Sequence, residues 1–331
     1  MRGLTPGAGN MNSEQDNMAD FDTINENEPA ENGPEMQKKE VDLRFSGVIR
    51  DAWMCYREGI LKLLLIVAAV TLPVAIIKVF LVDMNYDYEG VYSEFLQAIY
   101  STGENAAGSQ DIYNLFIRLM MYSAITALLT SISLITEAAA VILVGRKYKN
   151  AAPPEPDSFV EDVPSSGDLS FSALFEAAFK SFPKLWLTVF IVRLAAAAGL
   201  MLCILPGIFI YYAFIFAPYS VELTGLWGRK ATFVSTLCTR RFPKESLLFA
   251  ILFFAVAELA LPMVFNGIGQ LLSSAGLNTV WLGIFDVIGE CLEQMGVLFA
   301  AMCGAVLFIR MLPEIDPLIK ASGVEQKKSH T

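Results

Sequence analysis

Residues Ile60–Val82 read ILKLLLIVAAVTLPVAIIKVFLV, a run in which Lys62 and Lys78 are the only charged side chains. Its length exceeds the roughly 20 apolar residues that a helix needs to cross the hydrocarbon core of a bilayer. The segment after it, through Asn114, holds Asp83, Asp87, Glu89, Glu94, Glu104 and Asp111 but no Lys or Arg. A long apolar run flanked by basic residues on one side and none on the other marks a membrane span and its direction, because cytoplasmic loops carry the excess of Lys and Arg.

Working outward, the same alternation recurs along the chain. Further spans are predicted at 115–144, 185–205, 208–223 and 246–272, with a last one at 285–312 inside the long apolar stretch Thr279–Leu312. Basic residues cluster in four segments, with six between Lys38 and Lys62, five between Arg146 and Lys184, five between Arg229 and Lys244, and four from Arg310 to Lys328. The intervening connections, 83–114, Pro206-Gly207 and 273–278, contain none. The expectation is an all-α polytopic protein with six transmembrane helices and both termini in the cytoplasm.

Composition agrees with a lipid solvent. Hydrophobic residues make up 54% of the chain and charged residues 18%, against the roughly 25% of soluble domains. Much of the net charge of −10 comes from the first stretch, rich in Asn, Glu and Asp and nearly free of aromatic residues. Residues 1–43 are therefore expected to be a disordered acidic cytoplasmic tail, and 313–331 a second cytoplasmic tail. The only histidine is His330, and the five cysteines form no CxxC pair. That excludes His-dependent catalysis within this chain and argues against a disulfide framework or a metal site. No cofactor is expected. No nucleotide-binding loop has the strand-and-helix context it needs. The basic clusters are explained by topology and anionic headgroups rather than by nucleic acid.

A short pattern repeats. Phe45-Ser46, Ala52-Trp53 and Tyr56 return with the same spacing as Phe171-Ser172, Ala178-Phe179 and Phe182, and Phe182-Pro183-Lys184 returns as Phe242-Pro243-Lys244. Phe171, Leu174, Phe175, Ala178, Phe179 and Phe182 share one helical face. These segments are expected to be amphipathic cytoplasmic helices lying in the interface, each leading into spans as a helix-plus-hairpin unit.

Ionisable residues inside spans are costly and mark candidate functional positions. Glu137 and Arg193 fall at similar depth in the second and third spans and form a candidate pair. Glu258 lies nearest the middle of the fifth span. Asp286, Glu290 and Glu293 follow an i, i+4, i+7 spacing that places them on one face of the last span. They face either an aqueous cavity or a structural partner. Lys78 and Arg118 sit near the outer ends of their spans and are expected to snorkel to the surface. Stripes of small residues, Ala195-Gly199-Cys203-Gly207 and Gly296-Ala300-Gly304, predict close helix packing.

Residues around the third and fourth spans carry a resemblance. Leu205-Pro206-Gly207-Ile208, the helix Phe216-Ala217-Pro218-Tyr219-Ser220-Val221-Glu222, and Ala231, Ser235 and Leu237 resemble the membrane domain of glycerophosphoryl diester phosphodiesterases. Leu307-Phe308-Ile309-Arg310 is similar to the end of that domain's last span. Leu237 comes one residue early, and Thr239-Arg240-Arg241 replaces a segment where the family tends to have glycine. The resemblance implies structural roles for Pro206, Gly207, Pro218, Glu222 and Ser235; apart from it, Glu222 at the cytoplasmic end of its span is expected to pair with Arg229 or Arg240. It implies no catalysis, since the family's catalytic barrel has no counterpart here. The expected function is that of a non-enzymatic bacterial inner-membrane scaffold or accessory, contacting the bilayer, anionic cytoplasmic headgroups and a membrane-protein partner in lipid handling. The alternative is a small permease using the intramembrane carboxylates.

Overall fold

The computed structural model describes residues 43–83, 86, 88–100, 109–151 and 170–322, so the expected tail 1–43, apart from its last residue, and residues 323–331 lie outside the described set. Every regular element among the described residues is helical. Five helical stretches are long and apolar enough to cross a bilayer: Phe45–Asp83, Gln110–Tyr148, Phe171–Leu200, Ile204–Thr224 and Thr279–Ala321.

Helix α1 (Phe45–Ile76) continues as a π-helical turn, Ile77–Asp83. Helix α2 (Tyr88–Tyr100) occupies part of the expected acidic loop and packs on α3 (Ser109–Ile132). The expected second span is broken at Ser133, where α3 gives way to α4 (Leu134–Ala151). A run of hydroxyls explains the break. Thr130, Ser131, Ser133 and Thr136 donate to backbone carbonyls three or four residues back, at 2.6–2.9 Å. Such back-bonding competes with the helical ladder and bends it.

Helix α5 (Phe171–Leu202) begins with Ser170, whose hydroxyl accepts from Ala173 N at 3.3 Å. The matched segments starting at Phe45 and Phe171 thus each open a 32-residue helix, and Val48 and Ala52 are buried like Leu174 and Ala178. This corrects the expectation of separate interfacial helices before the first and third spans. In each segment the helix runs on into the span, with Val48, Ala52, Leu174 and Ala178 buried while Trp53 and Phe179 are 53% and 59% exposed. Pro183 lies inside α5, whereas the matching Pro243 starts α9.

The α5–α6 hairpin turns at Cys203, which is extended (φ −170°), so Pro206 and Gly207 fall in the first turns of α6 (Ile204–Ala213) rather than in the bend. A Cβ on Gly207 would lie 2.6 Å from the backbone nitrogen of Leu200, and one on Gly199 would lie 2.9 Å from Gly207 Cα. The expected seam is therefore real at Gly199 and Gly207, where the two backbones touch. Helix α7 (Ala217–Thr224) follows a break at Phe214–Phe216, and α8 (Arg229–Arg241) is a separate amphipathic helix. Gly228 precedes α8 at φ 61°, a conformation a β-branched residue resists, and its N–H donates to Thr188 Oγ1 at 2.9 Å.

The expected fifth span, 246–272, is segmented into α9 (Pro243–Phe253), a π-helical turn (Phe254–Ala260) and α10 (Leu261–Ser274). Pro262 supplies the reason: it brings no N–H, and its ring crowds the carbonyl one turn earlier. Helix α11 (Thr279–Ala321) has 43 residues and passes through Pro313 and Pro317, so the last helix continues beyond the span and into the expected C-terminal tail. At 1.5 Å per residue it is about 65 Å long. It is the axis of the fold: Ala300 through Phe308 are all buried, packed against α1, α4, α7 and α9. Small residues make that density possible. A Cβ on Gly304 would come within 2.4 Å of the Tyr219 ring and 2.6 Å of the Phe249 ring.

Candidate functional site

The break between α6 and α7 opens the interior. Pro218 at the start of α7 has no N–H to give, and the chain around Phe214–Phe216 leaves backbone groups without helical partners. Ser235 of α8 supplies them: its hydroxyl accepts from Phe216 N at 3.0 Å and donates to Ala213 O at 2.8 Å. The two half-helices, so held, leave a cavity of about 190 Å³ against α4, α5, α9 and α11. Its polar lining is Glu137, Arg193, Tyr211, Tyr219, Glu222 and Gln294, and the rest of its wall is apolar.

Each polar group reaches the cavity for a local reason. Glu137 stands in the first turn of α4, just past the Ser133 break. Thr136 beside it accepts from Gln294 Nε2 at 2.7 Å, which holds that amide of α11 at the cavity wall. Arg193 lies on the outer side of α5 and is exposed, as is Tyr211 on α6. Tyr219 and Glu222 lie on successive turns of one face of α7 and are buried. Glu222 is only 8% exposed, and both of its carboxylate oxygens are buried without a hydrogen-bond partner. Ser181 lies beside it, and its hydroxyl also reaches Ala178 O at 3.0 Å. Lys184 is the cation within electrostatic reach. Arg229 and Arg240, the partners expected for Glu222, are exposed at the two ends of α8 and form no ion pair with that carboxylate.

The candidate residues thus separate into groups. Glu137, Arg193 and Glu222 come together at one cavity, with Pro218 in its wall. Ser235 and Gly207 are structural, through the capped break and the tight hairpin. Pro206 is in the first turn of α6. Glu290 is elsewhere: it pairs with Lys78, both side chains about a quarter exposed. This corrects the expectation that Lys78 snorkels. The π-helical turn at Ile77–Asp83 presents Lys78 to α11, where Asp286 and Glu293 also lie within its electrostatic reach. Arg118, by contrast, is exposed. The side chain of Glu258 lies outside the described residues.

A second charged centre escaped sequence reasoning. Arg310 donates to Asp51 Oδ2 at 2.5 Å, and Tyr148 donates to the same oxygen at 3.0 Å, joining α11, α1 and α4. Gly47 leaves room for the guanidinium, since a Cβ there would lie 3.2 Å from Arg310 Nη1. Asp51, Tyr148 and Arg310 belong to three segments separated by long stretches of chain, so no local pattern links them. The cavity members Tyr219 and Gln294 were equally silent, an aromatic and an amide among apolar neighbours. Comparison with family models, curated proteins and solved structures finds no match to this chain.

Proposed function

We propose that this chain is a non-enzymatic multi-pass membrane protein with six spans and cytoplasmic termini, serving as a scaffold or accessory to an envelope or lipid-handling partner. The observation that carries this hypothesis is the use made of the ionisable groups in the first and last helices. Lys78 with Glu290 near one end, and Arg310 with Asp51 near the other, hold α1 to α11 as fixed cross-links. Both pairs join segments that the distribution of Lys and Arg assigns to the same side, which supports the six-span orientation. The basic residues of α8 are exposed, as a surface for anionic headgroups requires, and Arg241 reaches Glu314 of α11. The resemblance to a phosphodiesterase membrane domain points to lipid chemistry in the partner. Purification of the full chain in mild detergent, with mass spectrometry of what accompanies it, tests the hypothesis. A stoichiometric lipid phosphodiesterase or synthase is expected; recovery of the chain alone would sink it.

The cavity between α4, α5, α7 and α11 favours a second hypothesis, a small permease. Its test is Val297→Cys, at the cavity wall, in a background without the five native cysteines. Labelling by a membrane-impermeant thiol reagent from both faces would establish alternating access. Labelling from one face, or neither, counts against transport.

A further inference from the structure

The unpartnered carboxylate of Glu222 calls for a ligand, and its surroundings define which. A carboxylate 8% exposed whose two oxygens make no hydrogen bond, with Lys184 in electrostatic reach but not in ion-pair contact, is a place for a bound cation or a proton. It faces a cavity of about 190 Å³, the liquid volume of roughly six waters. That is room for a small alkylammonium. Glu137 adds a second acidic group to the same wall, and Tyr211 and Tyr219 add hydroxyls and aromatic surface suited to a cation. The two acceptor oxygens of Glu222 favour a primary ammonium, which carries three N–H groups, over a quaternary one, which carries none.

Arg193 completes the pattern. It shares the cavity lining but is exposed on α5, and Leu194 and Leu200, which follow it deeper along the helix, are 59% and 50% exposed. In the orientation proposed above, α5 enters from the cytoplasm, so the Arg193 side chain leans back toward that face. Glu222, two residues from the end of α7, lies nearer the cytoplasm than Arg193. From the bilayer middle outward, the order is an apolar helix face, a guanidinium and a buried carboxylate. This is the complement of acyl chain, phosphate and ammonium.

We propose that the cavity binds a phosphoethanolamine group, with its phosphate on Arg193 and its ammonium on Glu222, supplied by a phosphatidylethanolamine of the cytoplasmic leaflet. The proposal deepens the lipid-handling role and rests on the orientation assigned to it. It needs no protein partner, so a chain purified alone would defeat the scaffold hypothesis and leave this site standing.

The test is titration of the full chain in detergent with phosphatidylethanolamine, phosphatidylcholine, phosphatidylglycerol or soluble O-phosphoethanolamine, read as thermal stabilisation and as bound lipid in native mass spectra. Phosphatidylethanolamine is expected to bind at least about tenfold more tightly than the other two lipids, a gap typical of charge-assisted hydrogen bonds. Glu222→Gln, which keeps the side-chain shape, should remove that preference while the protein remains folded. Arg193→Ala, at an exposed position, should weaken binding of the phosphate-bearing ligands. Tighter binding of the lipid than of soluble O-phosphoethanolamine supports the leaflet as source; equal affinity supports the same site filled from solution. Equal affinity for phosphatidylglycerol, or an unchanged preference in Glu222→Gln, overturns the proposal and leaves Glu222 a carboxyl that holds only a proton.

Discussion

Ser235 shows how much one hydroxyl can hold in an apolar interior. It serves as acceptor to Phe216 N and donor to Ala213 O, and thereby stabilises a break that Pro218 makes unavoidable. Ser235→Ala leaves both backbone groups without this partner in a buried place, and should cost about 1–3 kcal/mol. Unfolding by denaturing detergent, followed by circular dichroism, measures the loss; a change below a few tenths would mean the break is held by packing alone. Cysteine reactivity is a second check at this scale. Cys238 on α8 is buried, and burial pushes its thiol well above the usual range, while Cys203 is exposed. Because the thiolate is the nucleophile, a raised value means little of it forms at pH 7–9. Raising the pH across that window should leave Cys238 slow toward maleimide until the protein is denatured, while Cys203 reacts in the folded state, with peptide mass spectrometry as the readout.

Among the elements, the α5–α6 hairpin depends on contact between backbones. Gly207 has no space for a side chain against Leu200, and the nearest obstacle includes a backbone nitrogen that cannot rotate away. Gly207→Val is therefore expected to splay the hairpin and cost at least about 1–3 kcal/mol, the usual range for overpacking. Gly267 is a suitable control, since a Cβ there meets nothing within 4 Å. If Gly207→Val and Gly267→Val lower thermal stability equally, helix propensity rather than close approach explains the loss. The small-residue stripe was legible in sequence as a packing seam. Its consequence, a hairpin bent at Cys203 with Gly207 inside the second helix, was not, because a period of four fixes a face but not where a helix ends. The broken second span illustrates the same limit: Thr130, Ser131, Ser133 and Thr136 are each tolerable in a helix, and only their joint back-bonding separates α3 from α4.

Across the whole molecule, α11 is the mast and two charged cross-links tie α1 to it. Arg310 and Asp51 are about one-fifth exposed or less, so their coupling exceeds that of a surface pair. A double-mutant cycle with Arg310→Ala and Asp51→Ala should give a coupling of roughly 0.5–3 kcal/mol, measured by detergent unfolding. Additive effects would show that each residue acts through other neighbours, Tyr148 first among them. The same cycle on Lys78 and Glu290 tests the other cross-link.

The sequence by itself determined that the chain is helical and that several of its helices are apolar enough to cross a bilayer. Those properties follow from local composition and from where Lys and Arg are absent, and neither depends on which helix meets which. It also marked Glu137 and Arg193 as unusual, through the cost of ionisable groups in apolar spans, and Glu222 through the family resemblance. Only the tertiary structure decided that these three share one cavity, that Glu290 belongs to Lys78, and that Arg310, Asp51 and Tyr148 form one centre. The physical reason is that an apolar helix can turn almost any face to lipid or protein at little cost. Partner choice is left to close packing at residues such as Gly207 and Gly304, and to breaks at Ser133 and Pro218, whose effects are felt only between helices.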